Sequence, residues 1–294
     1  MNKGIKQICQ KINREDILNK KFYPVWFFTN EQINHFLLKI ESSKEIKKIF
    51  SVGGGCDFVF SLLSMQILNQ IDEINVCDIR QMANISIDFK LGLFKNLGYD
   101  EILDLFLKQK FFHKNQIYEK IRKTITPLSR TVFDRIINNC KENNFLECLK
   151  KTGFWYKESF WQIKYKQEYL PYLVSKEKYQ LLQKNLDKIT IYCGDFNENL
   201  RLFKDGYYDL IYISNILDSK KYCREPDSYL QTIKEKLNSK GLLVLATQNN
   251  SKKIIKLIEG QGFYVYEKEL HGFNVISSLF GHYAYSFLMF QMGH

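Results

Sequence analysis

The chain has 294 residues, 45% of them hydrophobic and 15% aromatic, which supplies ample material for a buried core and excludes a disordered polypeptide. Its 43 Lys and Arg against 32 Asp and Glu leave a formal net charge of +11, but the excess is mostly lysine scattered along the whole length, with no recognised basic-aromatic module for reading nucleic acid. Specific nucleic-acid binding is therefore not expected, and attraction to an anionic membrane face is the better use of such a charge. The 7 cysteines form no Cys-x-x-Cys pair, so zinc ligation and a disulfide framework are both poor readings, and no metal is expected. No segment approaches the roughly 20 apolar residues of a spanning helix, and the polar N-terminal stretch lacks a signal-peptide core. A cytoplasmic protein is expected, with room for peripheral membrane contact.

Taken in chain order, residues 1–45 form an N-terminal helical and aromatic segment. Within it and just beyond, Gln32–Lys48 has helical periodicity, with Ile33, Phe36, Leu37 and Ile40 on one face. Ile46–Val52 is predicted as a short buried strand that ends in Gly53-Gly54-Gly55-Cys56-Asp57. A helical pattern follows over Phe58–Leu68, then a strand over Ile74–Asp78. Strand, glycine turn, helix and strand make a βαβ unit, the building block of parallel sheets. From Gln81 to about Leu186 the pattern is almost wholly helical, interrupted mainly at Pro127 and Gly153. Strands then return at Lys188–Cys193, Tyr208–Ser214 and Leu242–Thr247, separated by helices that include Asp227–Leu237, with Asp227 as its N-cap, and Ser251–Glu259. Phe263–Glu267 and Tyr283–Phe290 close the chain as two strands expected to be antiparallel.

This order predicts an α/β fold: a doubly wound, mostly parallel seven-stranded sheet of the class I methyltransferase-like type, with a long helical insertion after the second strand. Residues 46–88 and 187–294 would form the Rossmann-like domain. Residues 89–186 are too many for a loop and would form the insertion.

In open α/β sheets, ligands bind beyond the carboxyl ends of the strands near the switch in strand order, and four pieces of this chain should converge there. The first is Gly53-Gly54-Gly55 with Asp57, where glycines let the backbone turn tightly and approach a ligand. A dinucleotide fingerprint would need a glycine at position 58, which is Phe58, and no P-loop lysine pattern is present. The turn thus suits a nucleoside with an amino-acid tail better than one with a pyrophosphate. The second is Asp78, whose carboxylate can accept both ribose hydroxyls, with Ile79 beside it. The third is Asp195 with Phe196, suited to an adenine amino group and ring. The fourth is Ser214-Asn215-Ile216-Leu217-Asp218, beside the reacting carbon.

The stretch Asp78-Ile79-Arg80-Gln81, continuing through Phe89-Lys90-Leu91 to Asn96-Leu97-Gly98-Tyr99-Asp100-Glu101, resembles the betaine-lipid type of S-adenosylmethionine 3-amino-3-carboxypropyltransferases. That family follows its ribose-binding aspartate with a glutamine three residues on, then a helix with a Lys-Leu pair, then a leucine-tyrosine-acidic turn. Similarity continues through Ile117–Phe133 and Ser214–Asp218, and faintly to Gly281-His282-Tyr283-Ala284-Tyr285. The family commonly places an acidic residue straight after an N-terminal tryptophan, whereas Trp26 is followed by Phe27-Phe28, and the chain is short for the lipid-forming enzymes.

The resemblance implies S-adenosylmethionine as cofactor, bound by Gly53, Gly54, Gly55, Asp57, Asp78, Ile79, Gln81, Asp195, Phe196, Ser214 and Asn215. It implies transfer of a 3-amino-3-carboxypropyl group to a lipid or small-molecule nucleophile, releasing methylthioadenosine. Asp218 and then His282 are the candidates for the base, at the cost of a capping role for the first and a packing role for the second. Tyr23 and Trp26 are candidates for a lid over the site or, equally, for core packing, and the tract Phe154-Trp155-Tyr156 with Phe160-Trp161 is a candidate for an acceptor pocket, although at helical spacing such residues are more often core. The competing readings are a small-molecule methyltransferase with the same cofactor pocket, and a non-enzymatic basic binding module on the same fold.

Overall fold

The computed structural model describes residues 7–9, 37, 40, 45–65, 70–151, 170–218, 223, 225–247, 251–270 and 286–292. Its strands are β1 (Gln7–Cys9), β2 (Lys48–Val52), β3 (Glu73–Asp78), β4 (Ile189–Cys193), β5 (Tyr208–Tyr212), β6 (Leu237–Thr247), β7 (Phe263–Leu270) and β8 (Ser286–Met292). They form one sheet in the order β1-β4-β3-β2-β5-β6-β8-β7. All pairings from β1 to β6 are parallel, while β8 runs antiparallel between β6 and β7. Setting β1 aside, this is the arrangement of the class I methyltransferase-like fold, as the element order predicts. β1 is an addition to that expectation. It spans three residues of a polar stretch, too few for any periodicity to register, and it lies along the outer edge of β4.

The central strands β2 to β6 are largely buried because both faces of the sheet are covered there, which is why they read as apolar runs. Ile49, Ile74, Val76, Ile191, Leu210, Leu242 and Val244 face one layer. Their neighbours Phe50, Cys77, Tyr192, Ile211, Leu243 and Leu245 face the other. Helices α1 (Asp57–Leu63) and α2 (Gln81–Asn96) lie on the first side. On the same side are α3 (Lys114–Arg122), α4 (Pro127–Asn139), α5 (Phe145–Lys151) and α6 (Lys176–Asn185). Helices α7 (Phe196–Leu200), α8 (Pro226–Lys236) and α9 (Ser251–Gly260) cover the second side.

Helix α2 is the centre of the first layer. A helix that covers a sheet ordinarily keeps one face in water. Here every residue from Ala83 to Phe94 is buried, including Asn84, Ser86, Asp88 and Lys90. The helices that follow it supply the outer cover. Phe133 of α4 stacks on Phe89 with ring centroids 3.9 Å apart, and Asp88 accepts hydrogen bonds from the Thr126 N–H at 2.9 Å and its hydroxyl at 2.6 Å. The expected boundary between residues 88 and 89, where the insertion would begin, lies inside this unbroken helix.

Several boundaries move from their expected places. Helix α8 starts at Pro226, whose fixed φ suits a first helical position, with Glu225 at the N-cap. Asp227 is therefore inside the helix rather than capping it, and its carboxylate accepts from the Gln261 amide at 2.9 Å. Strand β6 begins at Leu237, earlier than expected. Of the periodic stretch Gln32–Lys48, Leu37 and Ile40 are helical and buried, whereas Glu45, Ile46 and Lys47 are not helical and Lys48 opens β2; Tyr23 and Trp26 lie outside the described residues, as do the aromatic tract 154–161 and His282.

The tightest joint in the α2 layer is Gly92, where a Cβ would lie 2.6 Å from Ile125 Cγ2. Gly92→Ala is expected to cost about 1–3 kcal/mol through overpacking, read as a lower urea midpoint at unchanged slope. A wild-type midpoint would show that α2 and the 121–126 segment are not locked together.

Candidate functional site

Strand order reverses between β2 and β5, and the register brings the carboxyl ends of four parallel strands to one level. Val52 pairs with Cys77, Asp78 with Cys193, and Ser51 with Tyr212. The glycine turn, Asp78, Gly194-Asp195 and Ser214-Asn215 therefore share one edge, as their positions in the sequence predict.

The turn leaves β2 with the Gly53 N–H donating to the Cys77 carbonyl at 2.6 Å, and closes with the Cys56 N–H donating to the Gly53 carbonyl at 2.7 Å. A side chain at residue 53 has no room: its Cβ would lie 2.9 Å from Asp78 Cβ and 3.2 Å from Asp78 Oδ2. Gly54 has φ +46°, and among the described residues a Cβ there would meet no atom within 4 Å. Cys56 also takes a left-handed conformation at φ 60° although it carries a side chain.

Asp78 is buried and ties the turn to β3. Its Oδ2 accepts from the Gly54 N–H at 3.0 Å and its Oδ1 from the Arg80 N–H at 2.9 Å, with the Arg80 guanidinium 3.6 Å away. Burial raises the carboxyl above its ordinary value, opposed by Arg80 and by the two backbone N–H groups. Each carboxylate oxygen carries more than one lone pair, so acceptor capacity is left on a group already fixed in orientation. Beside it, Ile79 is 60% exposed, an apolar side chain standing at the mouth of the sheet. Gln81, at the start of α2, buries its Nε2 with no hydrogen-bond partner among the described residues.

Other candidates stand differently from their expected roles. Asp57 does not face the mouth: it is fully buried beneath the turn, ion-paired to Lys90 at 2.8 Å. Asp195 lies at the expected edge, yet both its oxygens are engaged within the protein. Oδ1 caps α7 through the Glu198 N–H at 3.1 Å, and Oδ2 accepts from the Tyr229 hydroxyl at 2.8 Å. Phe196 is buried as the first residue of α7, edge-on to Phe50 at 5.0 Å, so it is core rather than an open cover for a ring. Ser214 is half-buried with φ 46°, and its carbonyl accepts from the Ala246 N–H at 3.1 Å. Asn215 follows it, also half-buried. Asp218 ends the single turn of 3₁₀ helix Ile216–Asp218 just beyond.

Sequence reasoning placed Lys90 only within the family resemblance, with no role of its own, and missed Tyr172 and Tyr229. A signal existed for the first: a lysine inside the run Ile87–Leu93, on a helix whose other faces are also apolar. Tyr229, in α8, had none, since its role depends on α8 approaching Asp195.

No family model matches the chain, and no curated protein sequence matches it. Among solved structures, the chain is similar to a precorrin-6y C5,15-methyltransferase from Geobacter metallireducens at 10% identity and a TM-score of 0.41, covering 91% of this chain and 90% of that one. It is similar to the N-methyltransferase NodS from Bradyrhizobium japonicum, in complex with S-adenosyl-L-homocysteine, at 9% identity and TM-score 0.41, covering 88% and 85%. A spermidine synthase from Thermotoga maritima matches at 12% identity and TM-score 0.37, covering 85% of this chain and 54% of the synthase.

Gly53→Ala is expected to push Asp78 off its position, because the new methyl would occupy the space of the carboxylate. The cost in stability is about 1–3 kcal/mol, read in a urea titration. Gly54→Ala meets no described atom and pays only for its left-handed backbone, on the order of 1 kcal/mol. Equal losses from the two would disprove the close approach at residue 53.

Proposed function

We propose that this chain is an S-adenosylmethionine-dependent transferase and that it moves the 3-amino-3-carboxypropyl group to a lipid or small-molecule nucleophile. The observation that carries the donor assignment is the arrangement around Asp78: an oriented carboxylate at the end of β3, a glycine backbone bonded to it, and an exposed Ile79 beside it. Asp78 would accept the two ribose hydroxyls, Ile79 would lie against the base, and the Gly53–Gly55 backbone would approach the amino-acid tail. The buried Nε2 of Gln81, with no hydrogen-bond partner among the described residues, supports a donor directed to this pocket. When bound, the sulfonium supplies three activated carbons, of which displacement at the γ-carbon leaves methylthioadenosine and displacement at the methyl leaves S-adenosylhomocysteine.

The chain's own task is positioning, since a charged sulfur needs no further activation as a leaving group. The backbone and Asp78 hold the donor, and a base removes the proton of a hydroxyl or ammonium nucleophile. Asp218, carried just past β5, is the first candidate for that base, and His282 the second. Transfer of the carboxypropyl rather than the methyl group is supported by the resemblance of Asp78–Gln81, Lys90-Leu91 and Asn96–Glu101 to the carboxypropyltransferase family.

Incubation of the protein with S-adenosylmethionine and candidate acceptors tests the group transferred. Methylthioadenosine is the expected product, and S-adenosylhomocysteine alone would replace this reading with methyl transfer. Calorimetric titration tests the pocket: Asp78→Ala removes two hydrogen bonds to a charged acceptor and is expected to weaken cofactor binding about a hundredfold. Unchanged affinity would remove the pocket from this edge of the sheet. The ionised carboxylate is the better acceptor and its folded value is raised, so affinity should fall with acidification from a pH above the ordinary carboxylate range.

A further inference from the structure

Beneath the glycine turn lies a buried charged cluster that the donor-binding scheme does not use. Lys90 and Asp57 are each 0% exposed in their side chains and sit 2.8 Å apart. The Lys90 ammonium also donates to the Gly55 carbonyl at 2.6 Å and lies over the Phe60 ring at 5.0 Å from its centroid. The Tyr172 hydroxyl donates to the same Asp57 oxygen that Lys90 holds. Tyr172 belongs to the short 3₁₀ turn Pro171–Leu173, on the return of the inserted helices to the sheet, and its ring packs edge-on against Phe60 and Phe94.

Stability alone does not account for this cluster. Removing a lysine and an aspartate from water costs several kcal/mol per ion, and apolar residues of the same volume usually serve a core as well or better. The position of the bond to Gly55 does account for it. Gly55 is flanked by two residues with positive φ, Gly54 at 46° and Cys56 at 60°. Gly54 adopts its conformation freely, but a left-handed Cys56 persists only where its surroundings over-determine it. Lys90 reaches up from α2 and pins the carbonyl between the two.

We propose that Lys90 is a positioning residue for the cofactor loop, and that Asp57 and Tyr172 make the loop's conformation depend on the seating of the inserted helices. The ligand named here rests on the transferase reading above; the loop geometry does not. Burial draws the Lys90 ammonium below the usual lysine range, while Asp57 holds it up. The charged form, with three donors, serves both Gly55 and Asp57.

The experiment compares wild type, Lys90→Met/Asp57→Asn and Tyr172→Phe in the full chain. It measures melting temperature, S-adenosylhomocysteine affinity, and amide hydrogen exchange over residues 53–57 without ligand. The double variant removes both charges together, so it avoids leaving one buried ion unpaired. Its Tm is expected within a few degrees of wild type, with affinity about tenfold weaker and exchange in the loop faster by about the same factor. Tyr172→Phe is expected to speed loop exchange about threefold to tenfold with the fold intact, and it decides the matter if the double variant fails to fold. Wild-type affinity and loop exchange in the variants would overturn the proposal and leave the cluster purely structural. Loss of S-adenosylhomocysteine binding in wild type itself would overturn the transferase reading, while the exchange comparison would still decide the role of Lys90.

Discussion

The candidate site depends on one close approach: the end of β3 lies so near the turn after β2 that Asp78 fills the space a methyl at residue 53 would need. Everything else at the mouth follows from it. The carboxylate can bond the Gly54 N–H because Gly53 has no side chain to hold the strands apart. The turn can bend over the strand ends because Gly54 tolerates a left-handed backbone. Parallel pairing then sets Gly194 at the same height, with its N–H on the Asp78 carbonyl at 3.2 Å. An oriented carboxylate bonded to a glycine turn is thus the consequence of a single steric allowance.

Helix α2 joins that site to the rest of the first layer. It begins with Arg80 and Gln81 at the mouth, carries Lys90 under the turn, and ends against the 3₁₀ and helical segments that return from the insertion. Residues 83–94 of α2 are buried, and the described helices that follow pack their apolar residues into the same core. Gln183 and Tyr179 of α6 bond the carbonyls of Phe94 and Leu97, satisfying groups a helix end would otherwise offer to water.

Much of this was legible in the residues. The apolar runs showed every strand of the parallel sheet except β1, and the glycine turn with Asp78 marked the mouth, because strand ends and tight turns announce themselves through local composition. Roles that depend on an approach from a distant element did not show. Asp57 reads as a member of the glycine motif until Lys90 and Tyr172 are seen to claim it from sites 33 and 115 residues away. Phe196 reads as a ring cover until Phe50 is found behind it. Asp195 sits where expected, but its engagement by Tyr229 belongs to tertiary packing and leaves no local trace. The three-residue β1 was beyond reach for a simpler reason, since so short a polar segment has no pattern to detect.

The place of β8 has a consequence for how the chain is made. This strand lies between β6 and β7, so β7 cannot join the sheet until residues 286–292 have been added. During vectorial synthesis the parallel half, with its glycine turn and Asp78, has all its strand partners available first. The apolar edge of β6, Leu242 to Ala246, waits uncovered for Met289 and Leu288. Such an open edge is a template for unwanted strand addition. Until β8 arrives, β6 therefore presents an apolar strand edge with no partner from its own chain.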